Sequence, residues 1–166
     1  MTFRAYRHHF ARTAAVAATP DELFAYVDDH EQLASHMMRS STMMAGSRME
    51  LQLDDKQGRA VGAVITMSGR MLGLDLSLEE VVTEREPPLR KIWETVGQPK
   101  LYVIGHYRMG FTIAQTDGRT MLTVFIDYNF PSGLLVWLGW LLGGFYARWC
   151  VVNMTDGVAE HFALSR

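Results

Sequence analysis

A single cysteine, Cys150, stands in 166 residues. No internal disulfide can form, and no paired-thiol metal or redox motif exists. The cysteine falls in a helical stretch rich in apolar residues, which reads as a small buried hydrophobe in a reducing compartment, and the expected localisation is cytoplasmic. There is no His-Glu-x-x-His and no glycine-rich phosphate loop. The six histidines, His8, His9, His30, His36, His106 and His161, are scattered without metal-ligand spacing, so neither a metal nor another cofactor is expected. No catalytic residue is assigned. Charge of one sign does not dominate. The formal net charge is −2, so no polyanion-binding surface is indicated and no nucleic acid is expected as a partner. Acidic residues are missing from the first twenty, which hold Arg4, Arg7 and Arg12. That bias is faintly like an organelle-targeting peptide, yet the apolar run from Ala14 to Ala18 is too short for a secretory core. A first strand from near Tyr6 to Ala17 is the simpler reading. A membrane-length apolar run is also missing. The uncharged stretch from Tyr128 to Ala147 has a core of fifteen residues from Gly133, short of the roughly twenty that a spanning helix needs. Internal repeats and long linkers are absent too, so one domain over residues 1–166 is expected.

Hydrophobic residues make up 48% of the chain and charged residues 20%, ordinary values for a packed globular domain. Its longest helical signal is at the end. Ala147, Val151, Met154, Val158 and Phe162 recur at spacings of three and four, with Asn153, Asp156 and Glu160 opposite. A helix from Phe145 to Leu164 would be roughly 30 Å long. Near the start, Thr19-Pro20-Asp21-Glu22 spells a capping box with proline in the first turn, and Leu23, Phe24 and Val27 give that short helix its apolar side. Asp28-Asp29 interrupts it, and His30 to Met38 reads as a second short helix.

Between these helices the period is two. Strands are expected at Met49–Asp54, Ala60–Arg70, Gly73–Glu84, Leu89–Val96, Leu101–Gln115 and Arg119–Phe130. A tight turn at Asp117-Gly118 pairs Ile113 with Leu122, Phe111 with Val124, Met109 with Ile126 and Tyr107 with Tyr128. The alternate pairs are Thr112 with Thr123, Arg108 with Asp127 and His106 with Asn129. One face is therefore apolar and the other polar. A turn at Met71-Leu72 pairs Met67 with Leu76 and Ile65 with Leu78. A loop at Gln98-Pro99-Lys100 sets Trp93 opposite Gly105. A long helix after a run of strands must bury its stripe on the sheet.

This order resembles the helix-grip fold of the START-like (SRPBCC) superfamily, and most closely its bacterial polyketide cyclase/dehydrase and lipid-transport branch. The likeness is carried by the run from Ala18 through Thr19-Pro20-Asp21-Glu22 to Asp29. It continues in Glu79-Glu80-Val81-Val82 with Glu86-Pro87-Pro88-Leu89-Arg90, in Gly118-Arg119-Thr120, and in the terminal helix. One departure is His36-Met37-Met38, where many members carry a tryptophan. The resemblance implies an α+β domain with a seven-stranded curved antiparallel sheet around the C-terminal helix and two short helices after the first strand. It also implies a cavity between sheet and helix for a hydrophobic small molecule or lipid. The inward phase then nominates Met67, Leu76, Trp93, Val103, Tyr107, Met109, Val124, Ile126, Tyr128, Val151, Met154 and Val158 as its lining.

The polar residues of that phase admit two readings each. Tyr107 and Tyr128 either bind a ligand carbonyl or are satisfied core tyrosines. Glu80, set opposite Lys91, is either a salt bridge at the sheet end or a polar rim for a headgroup. Arg108 beside Asp127 reads as a surface pair. The uncharged segment with Trp137 and Trp140 is a buried first part of the helix, a dimer contact or a lid on a membrane surface. Trp149 lies about 160° from Val151 on the helical wheel and calls for a cover: a second subunit, a membrane, or the segment Gly133–Leu142 folded back. Three functions follow from the fold: a lipid-like carrier, a polyketide cyclase or dehydratase in which Tyr107 or Tyr128 polarises a carbonyl, or a module that docks a partner.

Overall fold

A computed structural model of the chain describes residues 5–35, 49–71, 73–133 and 136–164. Strand β1 (His8–Val16) leads into helices α1 (Pro20–Val27) and α2 (His30–Leu33). Six strands follow: β2 (Met49–Leu53), β3 (Val64–Met71), β4 (Leu74–Glu86), β5 (Arg90–Lys100), β6 (Tyr107–Thr116) and β7 (Arg119–Tyr128). The chain ends in a helical run: the short turn α3 (Val136–Leu138), a π-helical turn over Gly139–Gly143, and α4 (Gly144–Leu164). The sheet is antiparallel throughout with strand order β1-β7-β6-β5-β4-β3-β2. This is the α+β helix-grip architecture.

Local chemistry sets the elements. Thr19 caps α1 through its side chain and Glu22 closes the reciprocal bond, while Asp29 caps α2 by accepting from Glu31 and Gln32. The β6–β7 ladder runs from Tyr107↔Tyr128 to Thr116↔Arg119, the register that a turn at Asp117-Gly118 dictates. Along β7, buried Leu122, Val124, Ile126 and Tyr128 alternate with half-buried Met121, Thr123, Phe125 and Asp127. The stripe of α4 (Ala147, Val151, Met154 and Val158) is buried, with Phe162 partly so. At the open edge of the sheet Arg12 of β1 makes a two-pronged bond to Asp156 of α4, at 2.8 and 3.0 Å.

Several expectations are corrected. Met67 faces Leu78 rather than Leu76, and Ile65 faces Glu80 rather than Leu78. The β3–β4 reversal uses Gly73, whose φ of 79° suits glycine and not a larger residue. The slip is two residues, so the faces survive. Trp93 faces Met109, not Gly105. Strand β5 does not turn at Gln98-Pro99-Lys100 but continues to Lys100, which pairs with Ser77 of β4. On its other side the β5–β6 ladder stops at Glu94↔Arg108. There the Thr95 hydroxyl substitutes for the ladder, accepting from the Tyr107 N–H at 3.0 Å and donating to its carbonyl at 3.2 Å. Strand β6 therefore begins at Tyr107, and residues 101–106 form a connection. Strand β3 begins at Val64 rather than Ala60. Helix α2 ends at Leu33 with Ala34 as its C-cap, and the last residues of the helix expected to Met38, His36-Met37-Met38, lie outside the described residues.

The apolar segment is not folded back over Trp149. Residues 136–143 lead straight into α4, and Gly143 lets them lie on the connection before β6. A Cβ at Gly143 would come within 2.5 Å of the Val103 carbonyl. Trp149 is half-buried within its own chain and stacks on Tyr146, ring centroids 5.9 Å apart. Trp137, Trp140, Leu141 and Phe145 are exposed. Among the described residues no helix is long and apolar enough to cross a membrane.

Candidate functional site

An internal cavity of about 50 Å³ lies between the sheet and α4. Strands β2, β3 and β4 contribute Met49, Met67, Leu76, Leu78 and Glu80. Trp93 of β5, Tyr107 and Met109 of β6, and Ile126 of β7 follow. Helix α2 and its end supply His30 and Ala34, the connection before β6 supplies Leu101 and Ile104, and α4 supplies Tyr146, Cys150 and Met154. Seven of the residues nominated from the sequence meet here: Met67, Leu76, Trp93, Tyr107, Met109, Ile126 and Met154. The other five do not. Val124, Val151 and Val158 are buried in packed core but not at the cavity wall. Tyr128 turns to the β1 edge, where its ring lies 5.2 Å from His8 and 6.1 Å from Phe130. Val103 is half-buried in the connection, its carbonyl against Gly143. A larger concavity of about 840 Å³ at the end of β1, lined by Ala18, Gly118 and Phe162 among others, is open to solvent.

The cavity wall carries a buried polar cluster. Glu80 and His30 are each 1% exposed and Tyr107 is 8% exposed. The Tyr107 hydroxyl donates a short hydrogen bond to Glu80 Oε1. His30 Nε2 lies 3.5 Å from Glu80 Oε2, and its ring meets the Trp93 indole edge-on at 5.0 Å. Among the described residues neither Glu80 Oε2 nor His30 Nδ1 has a hydrogen-bond partner. Burial, then the neighbouring Glu80 charge, raises the Tyr107 phenol well above its ordinary range, so it stays protonated and its proton is committed to Glu80. Burial likewise raises Tyr146, and it pushes the Cys150 thiol up to about 12. A thiol so protonated is no nucleophile at neutral pH.

Glu80 does not pair with Lys91. Its neighbour across the ladder is Thr95, and Lys91 stands further along, opposite Arg85. Lys91, fully buried, donates to the Asp28 carbonyl at 2.7 Å and lies 3.2 Å from its carboxylate. Arg85 grips the same carboxylate with Nε and Nη2. This second cluster ties the end of α1 to the sheet and stands apart from the cavity wall. Arg108 pairs with Asp127 at 2.7 Å on the outer face, as its strand phase requires. Among the described residues no group of histidines, cysteines and acids is gathered as a metal site.

A curved antiparallel sheet gripping a long helix over an enclosed, mostly apolar cavity defines a START-like domain. The chain belongs to the family described as polyketide cyclase / dehydrase and lipid transport, whose profile matches residues 7–160. No curated protein matches the sequence. Solved structures share the fold at low identity. TTHA0849 from Thermus thermophilus is 12% identical with a TM-score of 0.64, covering 95% of this chain and 99% of its own. The Zhui aromatase/cyclase from Streptomyces sp. R1128 is 15% identical with a TM-score of 0.63, covering 92% and 93%. Ginseng major latex-like protein 151 from Panax ginseng is 13% identical with a TM-score of 0.53, covering 92% and 97%.

Proposed function

We propose that the protein binds a hydrophobic small molecule in the cavity beneath α4, as a carrier or binding protein. The observation that supports this most is the lining: a mostly apolar wall that includes Met49, Met67, Met109 and Met154. The free space of about 50 Å³ holds only a few waters, whereas sites for drug-sized ligands are about 300–1,000 Å³. Uptake therefore requires the wall to move. Unbranched, polarizable methionine side chains are the ones that repack at least cost. The alternative cyclase or dehydratase reading, in which Tyr107 or Tyr128 polarises a carbonyl, is less well supported. The Tyr107 proton is already given to Glu80, and Tyr128 is not at the wall.

The test is uptake of a fluorescent apolar probe by wild type and by Cys150→Phe, which adds a ring to the cavity wall. Wild type should bind in the micromolar range, and the variant at least tenfold more weakly with its fold retained by circular dichroism. Equal binding by both would remove the cavity from consideration. A second reading, favoured by the exposed Trp137 and Trp140, is that α3 and the π-turn rest on a lipid surface from which the ligand is drawn.

A further inference from the structure

Glu80 and His30 pose a problem that the fold alone does not solve. Both side chains are 1% exposed, both line the cavity, and among the described residues each keeps one polar atom without a hydrogen bond. An unsatisfied buried polar group costs about as much as a lost hydrogen bond or more, and two adjoining ones are not neutral packing. The rest of their surroundings is committed. Glu80 Oε1 takes the Tyr107 proton. Lys91, on the same inner face, belongs to Asp28. Thr95 spends its hydroxyl on Tyr107 backbone. Tyr146 and Cys150 bond to each other, and apolar residues, Leu78, Trp93 and Met109 among them, fill out the wall.

We propose that Glu80 and His30 are the polar anchor of the cavity and that its ligand is a hydrophobe bearing a hydroxyl, an alcohol or a phenol. This rests on the reading of the cavity as a hydrophobic ligand site and adds the chemical class. Glu80 Oε2 is an acceptor. An imidazole nitrogen donates or accepts according to its tautomer. A hydroxyl carries a proton for Oε2 and, where Nδ1 bears the imidazole proton, lone pairs to accept it. An ammonium only donates, and a ketone or ether only accepts. A ligand without a donor would bury Oε2 with its lone pairs unmet, and sites built to hydrogen-bond a hydroxyl reject analogues that lack one for that reason. Tyr107 is the positioning residue. Its bond to Oε1 fixes the carboxyl plane and leaves Oε2, beside His30, as the acceptor without a hydrogen bond.

The experiment is a matched series of 2-naphthol, 2-methoxynaphthalene and naphthalene, titrated into the full chain by calorimetry. Wild type should prefer 2-naphthol over 2-methoxynaphthalene by about tenfold or more, the size expected when a buried acceptor is otherwise left without a donor. In Glu80→Gln, of nearly equal volume, that ratio should fall to about threefold or less. Infrared difference spectra of wild type should show the carboxyl band of one glutamic side chain shifting on addition of 2-naphthol and not of naphthalene. The infrared measurement decides the matter even if the variant does not fold. Equal affinity of wild type for naphthol and its methyl ether, or a silent carboxyl band, overturns the anchor. If naphthalene binds under those conditions, the cavity reading stands without it. If none of the three binds, both readings fall together.

Discussion

At the scale of single residues, two buried acids do different work because their neighbours differ. Glu80 meets a phenol, an imidazole and apolar side chains. Asp28 meets two cations. Burial alone would lift the Asp28 carboxyl, but the Arg85 hydrogen bond and the Lys91 ammonium outweigh it and hold it below its ordinary 3.8. A carboxyl depressed in the fold contributes stability that is present above its unfolded value and is lost as pH falls through the folded one. Lys91 is shifted down from 10.5, chiefly by burial. A buried ammonium depressed in this way weakens the fold as pH drops from that range, so it adds nothing to stability under acid. Asp28→Asn should cost about 3 kcal/mol at pH 7, since both cations lose their partner while Arg85 keeps access to water. Its urea-unfolding midpoint should also depend less on pH below 3.8 than that of wild type. An unchanged pH profile would show that some other carboxyl dominates acid unfolding. Neither acid's role was fully legible in the sequence. The period-two pattern put Glu80 and Lys91 on the inner face, correctly. It could not show that the β4–β5 register sets Glu80 against Thr95 and Lys91 against Arg85, because alternation fixes the face a residue occupies and not its partner across the ladder. His30 was legible only as the start of a short helix, since nothing in its spacing points across the chain to β4. Partners that join through the fold rather than along a strand are what one sequence withholds.

Among the elements, the ones bounded by local chemistry were the easiest to read. The capping box of α1 and the turn at Asp117-Gly118 are sequence-adjacent, so each fixes its geometry without the rest of the fold. Strand phases followed for the same reason, while β5 and β6 did not: where they part, Thr95 replaces a ladder bond with a side-chain one. The C-terminal helix was placed within a residue at its start, and one reading made the segment before it the helix's buried first part; it is helical, but Trp137 and Trp140 are exposed. The two glycines that invite a bend, Gly143-Gly144, instead end a π-turn and begin α4. The close approach of Gly143 to the Val103 carbonyl makes this junction testable. A Cβ there would sit 2.5 Å from a backbone oxygen, which cannot swing aside as a side chain would. Gly143→Ala should destabilise the protein by about 1–3 kcal/mol, the usual cost of overpacking a tight contact. It should also speed backbone amide exchange in residues 101–106 more than in β6 and β7. A thermal midpoint within a degree of wild type would mean that the helix start yields freely.

For the molecule as a whole, the question is how a nearly closed cavity and an exposed apolar helix belong to one design. Trp140 is 76% exposed and Trp137 is 62% exposed. From Tyr128 to Ala147 the chain carries no charged residue. Within one turn of α4, Phe145 points to solvent while Tyr146 lines the cavity. Leu101 and Ile104, also at the wall, belong to the connection on which Gly143 rests. The exposed surface and this end of the cavity are thus parts of the same few elements. Leaving those side chains in water forgoes about 25 cal/mol for each Å² that a cover would bury, and tryptophan favours the lipid–water interface. If a lipid surface supplies the cover, attachment must run on apolar burial rather than on charge, because the segment has none to offer. The protein should then float with uncharged phosphatidylcholine vesicles and stay bound in 1 M salt, roughly the condition where the screening length falls to about 3 Å. The double variant Trp137→Glu, Trp140→Glu should lose at least tenfold in vesicle affinity. Its uptake of a soluble probe from buffer should remain close to wild type, while transfer of the same probe out of vesicles slows. Wild type that stays with the buffer but sediments as a dimer, which the double variant dissociates, would assign the patch to a second copy of the chain instead. Wild type that is monomeric and does not float would show that these tryptophans serve neither.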